Sequence, residues 1–135
     1  MKKFIAVVLV CICVFGLIGC NQQPQQVQGN QLLVEGNVVK IDVSSLPEGY
    51  NYSFSREDAQ AIIDYLSTLN LESEFEENPN EYTGMTWVIA LEYENGDTFK
   101  IYHFGEFIRS QNGSWYKMSF EEASRFDALL AELDK

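Results

Sequence analysis

The sequence predicts an α+β domain: a mostly antiparallel sheet of four to six strands with two amphipathic helices packed on one face. Three observations carry that expectation. Two apolar stripes at helical spacing each follow a capping box, several segments alternate apolar and polar residues with a period of two, and Asn95-Gly96 and Asn112-Gly113 mark tight turns between such segments.

Taken in order, Val38 to Val43 alternates, with Val39, Ile41 and Val43 forming an apolar face, and predicts the first strand. Ser44 to Ser53, with Pro47, Gly49 and Asn51, breaks regular structure. Ser55-Arg56-Glu57-Asp58 is a capping box flanked by Phe54 and Ala59, and Ala59, Ile62, Ile63, Leu66 and Leu69 recur on one side of a helix from about Arg56 to Leu69. Leu71 to Glu76 alternates as a short edge strand, its outward carboxylates opposing edge-to-edge pairing.

Met85–Tyr93 and Asp97–Phe104 flank Glu94-Asn95-Gly96. A two-residue loop would pair Leu91 with Lys100. A three-residue loop with left-handed Gly96 pairs Leu91 with Phe99, Ile89 with Ile101 and Trp87 with His103, which makes one consistently apolar face and is therefore the expected register. Glu106–Ser110 and Ser114–Met118 form a second hairpin, and Ser119-Phe120-Glu121-Glu122 caps a closing helix whose stripe is Ala123, Phe126, Leu129, Leu130 and Leu133. Both helices are most simply placed on the Trp87 and Ile89 face.

Residues 1–19 read as a signal peptide: Lys2-Lys3, a fifteen-residue apolar run from Phe4 to Ile18, then small residues at the cut. A permanent transmembrane helix needs about 20 apolar residues, and the polar Asn21-Gln22-Gln23-Pro24 that follows lacks a basic stop-transfer cluster. Leu17-Ile18-Gly19-Cys20 resembles the lipobox of bacterial lipoprotein precursors. That resemblance implies diacylglycerol on Cys20, the only group expected to be attached to the chain, and a domain held on the extracytoplasmic side of a bacterial cell membrane. Cys11 and Cys13 leave with the leader, so the mature chain has no partner for a disulfide and no Cys-based zinc site. Residues 20–31 are expected to be a lipidated, disordered tether, Gln-rich with Val27 as its one apolar side chain and a coil reach of roughly 18 Å, and residues 32–135 a single domain. The stretch from Tyr82-Thr83-Gly84 through Asn95-Gly96-Asp97 to Trp115-Tyr116-Lys117-Met118 is similar to a pattern in uncharacterised small lipoproteins of Gram-positive bacteria, a likeness that implies no activity.

The chain carries 20 acidic against 9 basic residues, for a net charge of −11, and Lys2 and Lys3 are among the basic ones. A domain this acidic has no clustered cations for phosphate, which excludes nucleic acid as a partner and disfavours an anionic membrane surface. His103 is the single imidazole, with neither a nucleophile beside it nor ligand-spaced partners in the sequence, and reads as a packed strand histidine. Glu72, Glu74, Glu76, Glu77 and Glu81 form the densest acidic stretch. They are candidate ligands for a weak Ca²⁺ site, but they lack the Asp/Asn alternation and glycine of a dedicated calcium loop and read first as a solvated edge.

The aromatic content, seven Tyr, nine Phe and two Trp, offers the better lead. The sheet face opposite Trp87 carries Val88, Tyr102 and Phe104, which are either covered by the Arg109/Trp115 hairpin or simply scattered aromatics or, if left open, form a candidate surface for an envelope protein or a glycan. The expected function is therefore a non-enzymatic, lipid-anchored binding or accessory module. A cation-responsive module built on residues 72–81 ranks second and a hydrolase third. Oligomeric state leaves no trace in the sequence.

Overall fold

The computed structural model describes residues 25–132, so the leader, Cys20, most of the tether and Leu133 of the expected closing stripe lie outside the described residues. One eight-stranded antiparallel sheet and two helices make up the domain. The strands are β1 (Gln26–Gln28), β2 (Val38–Leu46), β3 (Asn51–Phe54), β4 (Asn70–Glu72), β5 (Thr86–Tyr93), β6 (Thr98–Phe104), β7 (Phe107–Ser110) and β8 (Tyr116–Lys117). Their spatial order is β1-β4-β8-β7-β6-β5-β2-β3. Helices α1 (Arg56–Thr68) and α2 (Phe120–Glu132) follow β3 and β8.

The expected sheet of four to six strands is corrected to eight by two short additions at its edges. β3 arises inside the turn-rich stretch, where Val43 pairs with Tyr52 and Ile41 with Phe54 after a turn through the cis Leu46-Pro47 bond. β1 arises inside the expected tether, with Val27 opposite Leu71. The chain then turns through a 3-10 helix, Gly29–Leu32, that buries Leu32. Residues 26–31 thus belong to the domain rather than to a disordered tether. β4, expected at an edge, is an interior strand because β1 covers it.

The central hairpin has the expected register: Trp87 opposes His103, Ile89 opposes Ile101 and Leu91 opposes Phe99. Tyr93 and Asp97 close a three-residue loop through a backbone bond of 2.9 Å, and Gly96 takes φ +90°, a conformation that L side chains rarely adopt. Ile41 and Val43 of β2 extend the same apolar face beside Leu91 and Ile89. Both helices cover that face. Ala59, Ile62 and Leu66 of α1 and Ala123, Phe126 and Leu130 of α2 are buried in one core with Ile41, Val43, Ile89, Leu91, Ile101 and Ile108. The Phe126 ring stacks on Tyr65 at 5.5 Å, joining the two helices.

The two capping boxes differ. At α2 the box is reciprocal: the Glu122 N–H donates to Ser119 Oγ at 3.1 Å, and the Ser119 N–H donates to the Glu122 carboxylate at 3.3 Å. At α1, Ser55 makes no side-chain cap bond to the backbone and its hydroxyl faces Asp58 instead.

Candidate functional site

β4 and β5 are consecutive in sequence but are separated by β8, β7 and β6 in the sheet, so residues 73–85 must cross three strands. They cross on the face away from the helices. Side chains alternate along a strand, and with His103 and Ile108 facing the helices, Phe104, Phe107 and Lys117 face the other way. The crossing segment packs on those three residues. Phe75 and Tyr82 place their rings 5.5 and 6.0 Å from Phe107, Gly84 lies against the ring of Phe104, and Glu77 accepts a 2.5 Å bond from Lys117. The Trp115 indole N–H donates to Asn80 Oδ1 at 3.3 Å, and within the segment Asn78 Oδ1 accepts from the Asn80 backbone N–H at 3.2 Å.

The surface the sequence suggested is closed in part by the Arg109/Trp115 hairpin and in part by this strap. Val88 is only 8% exposed. Tyr102 is half-buried and holds the Arg109 guanidinium 4.5 Å from its ring, with the Trp115 ring 5.2 Å from the same group. Phe104 is half-buried between the strap and the sheet. The three candidates therefore do not form one open patch.

The exposed aromatic surface lies instead at the end of the sheet where β6 turns into β7 and α2 begins. A groove of about 380 Å³ opens there between the strap and α2. Its floor is Phe104, Phe107 and Ala123, and its two lips are Tyr82, 52% exposed, and Phe120, 75% exposed. A ring that exposed at the first position of a helix serves neither the cap nor the buried stripe. The backbone is braced here by the Met118 N–H, which donates to the Glu106 carbonyl at 2.8 Å. Phe120 was hidden in the sequence because it sits inside a capping box; its place just outside the Ala123, Phe126, Leu130 stripe was the available signal.

Glu77, Glu106 and Asp127 supply the groove's charged groups. The hydrogen bond from Lys117 holds the Glu77 carboxyl below its ordinary range and raises Lys117 in turn. Asp127 Oδ1 lies 3.0 Å from His103 Nε2, while His103 Nδ1 lies 3.3 Å from the Phe107 carbonyl. His103 is wholly buried and each of its nitrogens is turned to an acceptor oxygen of the domain, so neither points at the Ser124 hydroxyl on the groove wall. The carboxylate behind His103 was invisible in the sequence, since Asp127 is 24 residues away on another element.

The acidic stretch is spread out. Glu72 lies on β4 opposite Lys117, Glu77 is paired with Lys117, Glu81 accepts from the Asn78 amide, and Glu74 and Glu76 are exposed along the strap. Among the described residues no group of three or more His, Cys, Asp and Glu side chains is placed to hold a metal ion. No helix among them is long and apolar enough to cross a membrane.

Compared with protein-family models, with curated proteins and with solved structures, the chain has no match in any of the three.

Proposed function

We propose that this chain is a lipid-anchored, non-enzymatic binding module on the extracytoplasmic side of a bacterial membrane, recognising an envelope protein through the aromatic groove between the strap and α2. The observation that carries the reading is the pair of exposed rings, Tyr82 from the strap and Phe120 from α2, that line one groove together with Phe104, Phe107 and Ala123. Exposed aromatics around a preformed cleft are the residues that dominate binding energy at protein interfaces. The buried imidazole of His103, with both nitrogens turned to oxygens of the domain, supports a binding role over a hydrolytic one. The lipobox supports the anchor, and with β1 starting at Gln26 only residues 21–25 separate it from the sheet. Fully extended, those five residues span at most roughly 18 Å, which keeps the domain close to the bilayer.

Photo-crosslinking in the intact envelope tests this. A benzophenone side chain at position 120 should capture a discrete partner that the same group at Asn95, on the far hairpin loop, does not, and labelled fatty acid should enter the wild-type chain but not Cys20→Ser. No capture from position 120, or the same capture from both positions, would sink the recognition surface; labelling of the Cys20→Ser chain would sink the anchor.

A further inference from the structure

We infer that the groove takes a basic side chain carried on an apolar stretch of the partner protein. This inference rests on the recognition surface proposed above and adds the chemistry of its ligand.

Every charged residue lining the groove is a carboxylate: Glu77, Glu106 and Asp127. Two are committed within the domain, Glu77 to Lys117 and Asp127 through one oxygen to the buried His103. The Glu106 carboxylate makes no salt bridge or side-chain hydrogen bond among the described residues, and the one cation whose charge it feels within the domain is Lys117, which is bonded to Glu77. An ammonium or guanidinium group entering between the lips would meet the Glu106 carboxylate and the outer edge of Asp127 without displacing an existing ion pair. Its stem would lie on Phe104 and Phe107, and the faces of Tyr82 and Phe120 attract a cation through their ring quadrupoles. The groove's volume of about 380 Å³ suits one long side chain rather than a whole folded element.

Charge decides between ligand classes. A net charge of −11 repels anionic partners, and a neutral glycan would use the rings and leave Glu106 without a role. Apolar neighbours of the basic residue have somewhere to go, because Leu46, Tyr50 and Met85 are exposed at the same end of the sheet, where Leu46 pairs with Thr86 and Tyr50 packs on Trp87 at 5.4 Å.

The test uses the full lipoprotein in zwitterionic nanodiscs, with empty nanodiscs as the blank, and a fluorescent hexapeptide of sequence Gly-Leu-Lys-Phe-Lys-Gly. Its affinity should fall at least tenfold in Tyr82→Ser/Phe120→Ser and at least fivefold in Glu106→Gln, and it should weaken as salt rises. A Glu35→Gln/Glu94→Gln variant, altered at the far hairpin end, should bind as wild type does, and thermal melts should show all variants folded. Equal loss in the far variant would mean diffuse charge attraction, and equal binding of a peptide with Glu in place of both Lys, or no response to Glu106→Gln, would mean that the groove does not select a cation. Either result overturns the inference. If position 120 still crosslinks its partner undiminished by Glu106→Gln, the recognition surface stands and only the basic ligand falls; if position 120 captures nothing, both fall.

Discussion

Asp42 sits on β2 facing away from the helices. Burial pushes its carboxyl up, but hydrogen bonds from Ser53 at 2.5 Å and Lys40 at 2.9 Å, with the charge of Lys40, outweigh that and leave it below its ordinary value of 3.8. A carboxyl depressed in the folded state contributes stability that is complete above its unfolded value and is lost as pH falls through the folded one. Asp42→Asn should therefore lower the melting temperature near neutral pH, by an amount kept small by solvent screening because Asp42 is 40% exposed. The gap to wild type should narrow below pH 3.8, since the wild type then loses the same contribution. Melting temperatures of both proteins from pH 7 to 2.5 check this, and a gap that stays constant across that range would show that the carboxylate's charge is not what matters. Single residues were unevenly legible. His103 could be placed opposite Trp87 because strand register is local information. Its bond to Asp127 could not, because it depends on how α2 docks.

The strap, residues 73–85, has no regular structure beyond a short 3-10 turn at Pro79–Glu81, and it keeps its place through side chains. Lys117 contributes one fastening, the Trp115–Asn80 bond a second, and Phe75 and Tyr82 on Phe107 a third. Lys117→Met removes the charge while keeping most of the stem. Amide exchange should then rise several-fold across residues 74–83 and stay unchanged in β5 and β6, because exchange in a locally fastened segment follows its own opening free energy. Unchanged exchange in the strap would show that its aromatic contacts alone hold it. At this scale the sequence was readable wherever one face of an element had to be apolar. Period two set the β5–β6 register, and capping boxes with 3.6-residue stripes set both helices. β1 and β3 escaped because each is three or four residues long, and Val27 or the Tyr52 and Phe54 pair cannot declare a strand until β4 or β2 is beside it. The strap escaped for a related reason. Its acids read as a solvated edge, and only the order β4-β8-β7-β6-β5 shows that the chain must cross the sheet there.

For the whole molecule, the decisive correction is where folding begins. Reading a Gln-rich stretch as a tether put the domain boundary at residue 32, yet β1 and the 3-10 turn seal the end of the core that α1 and β4 leave open. The Gly29 N–H donates to the Leu69 carbonyl at 2.8 Å, and the chain passes so close to α1 that a Cβ at Gly29 would lie 1.8 Å from the Leu66 carbonyl oxygen. Leu32 is 1% exposed against a core that includes Leu66, Leu69 and Leu71. A chain beginning at residue 33 loses the Leu32 side chain, worth about 1.5–3 kcal/mol in transfer alone. It also opens a cavity against α1 and leaves β4 as a bare edge, which brings the cost to at least about 3 kcal/mol. For a domain of roughly 100 residues each kcal/mol is about 4–8 °C. A chain beginning at residue 25 should therefore melt more than 10 °C above one beginning at 33, and the shorter chain should self-associate through the uncovered edge of β4. Equal melting temperatures would return residues 25–32 to the tether and lengthen the leash between membrane and domain.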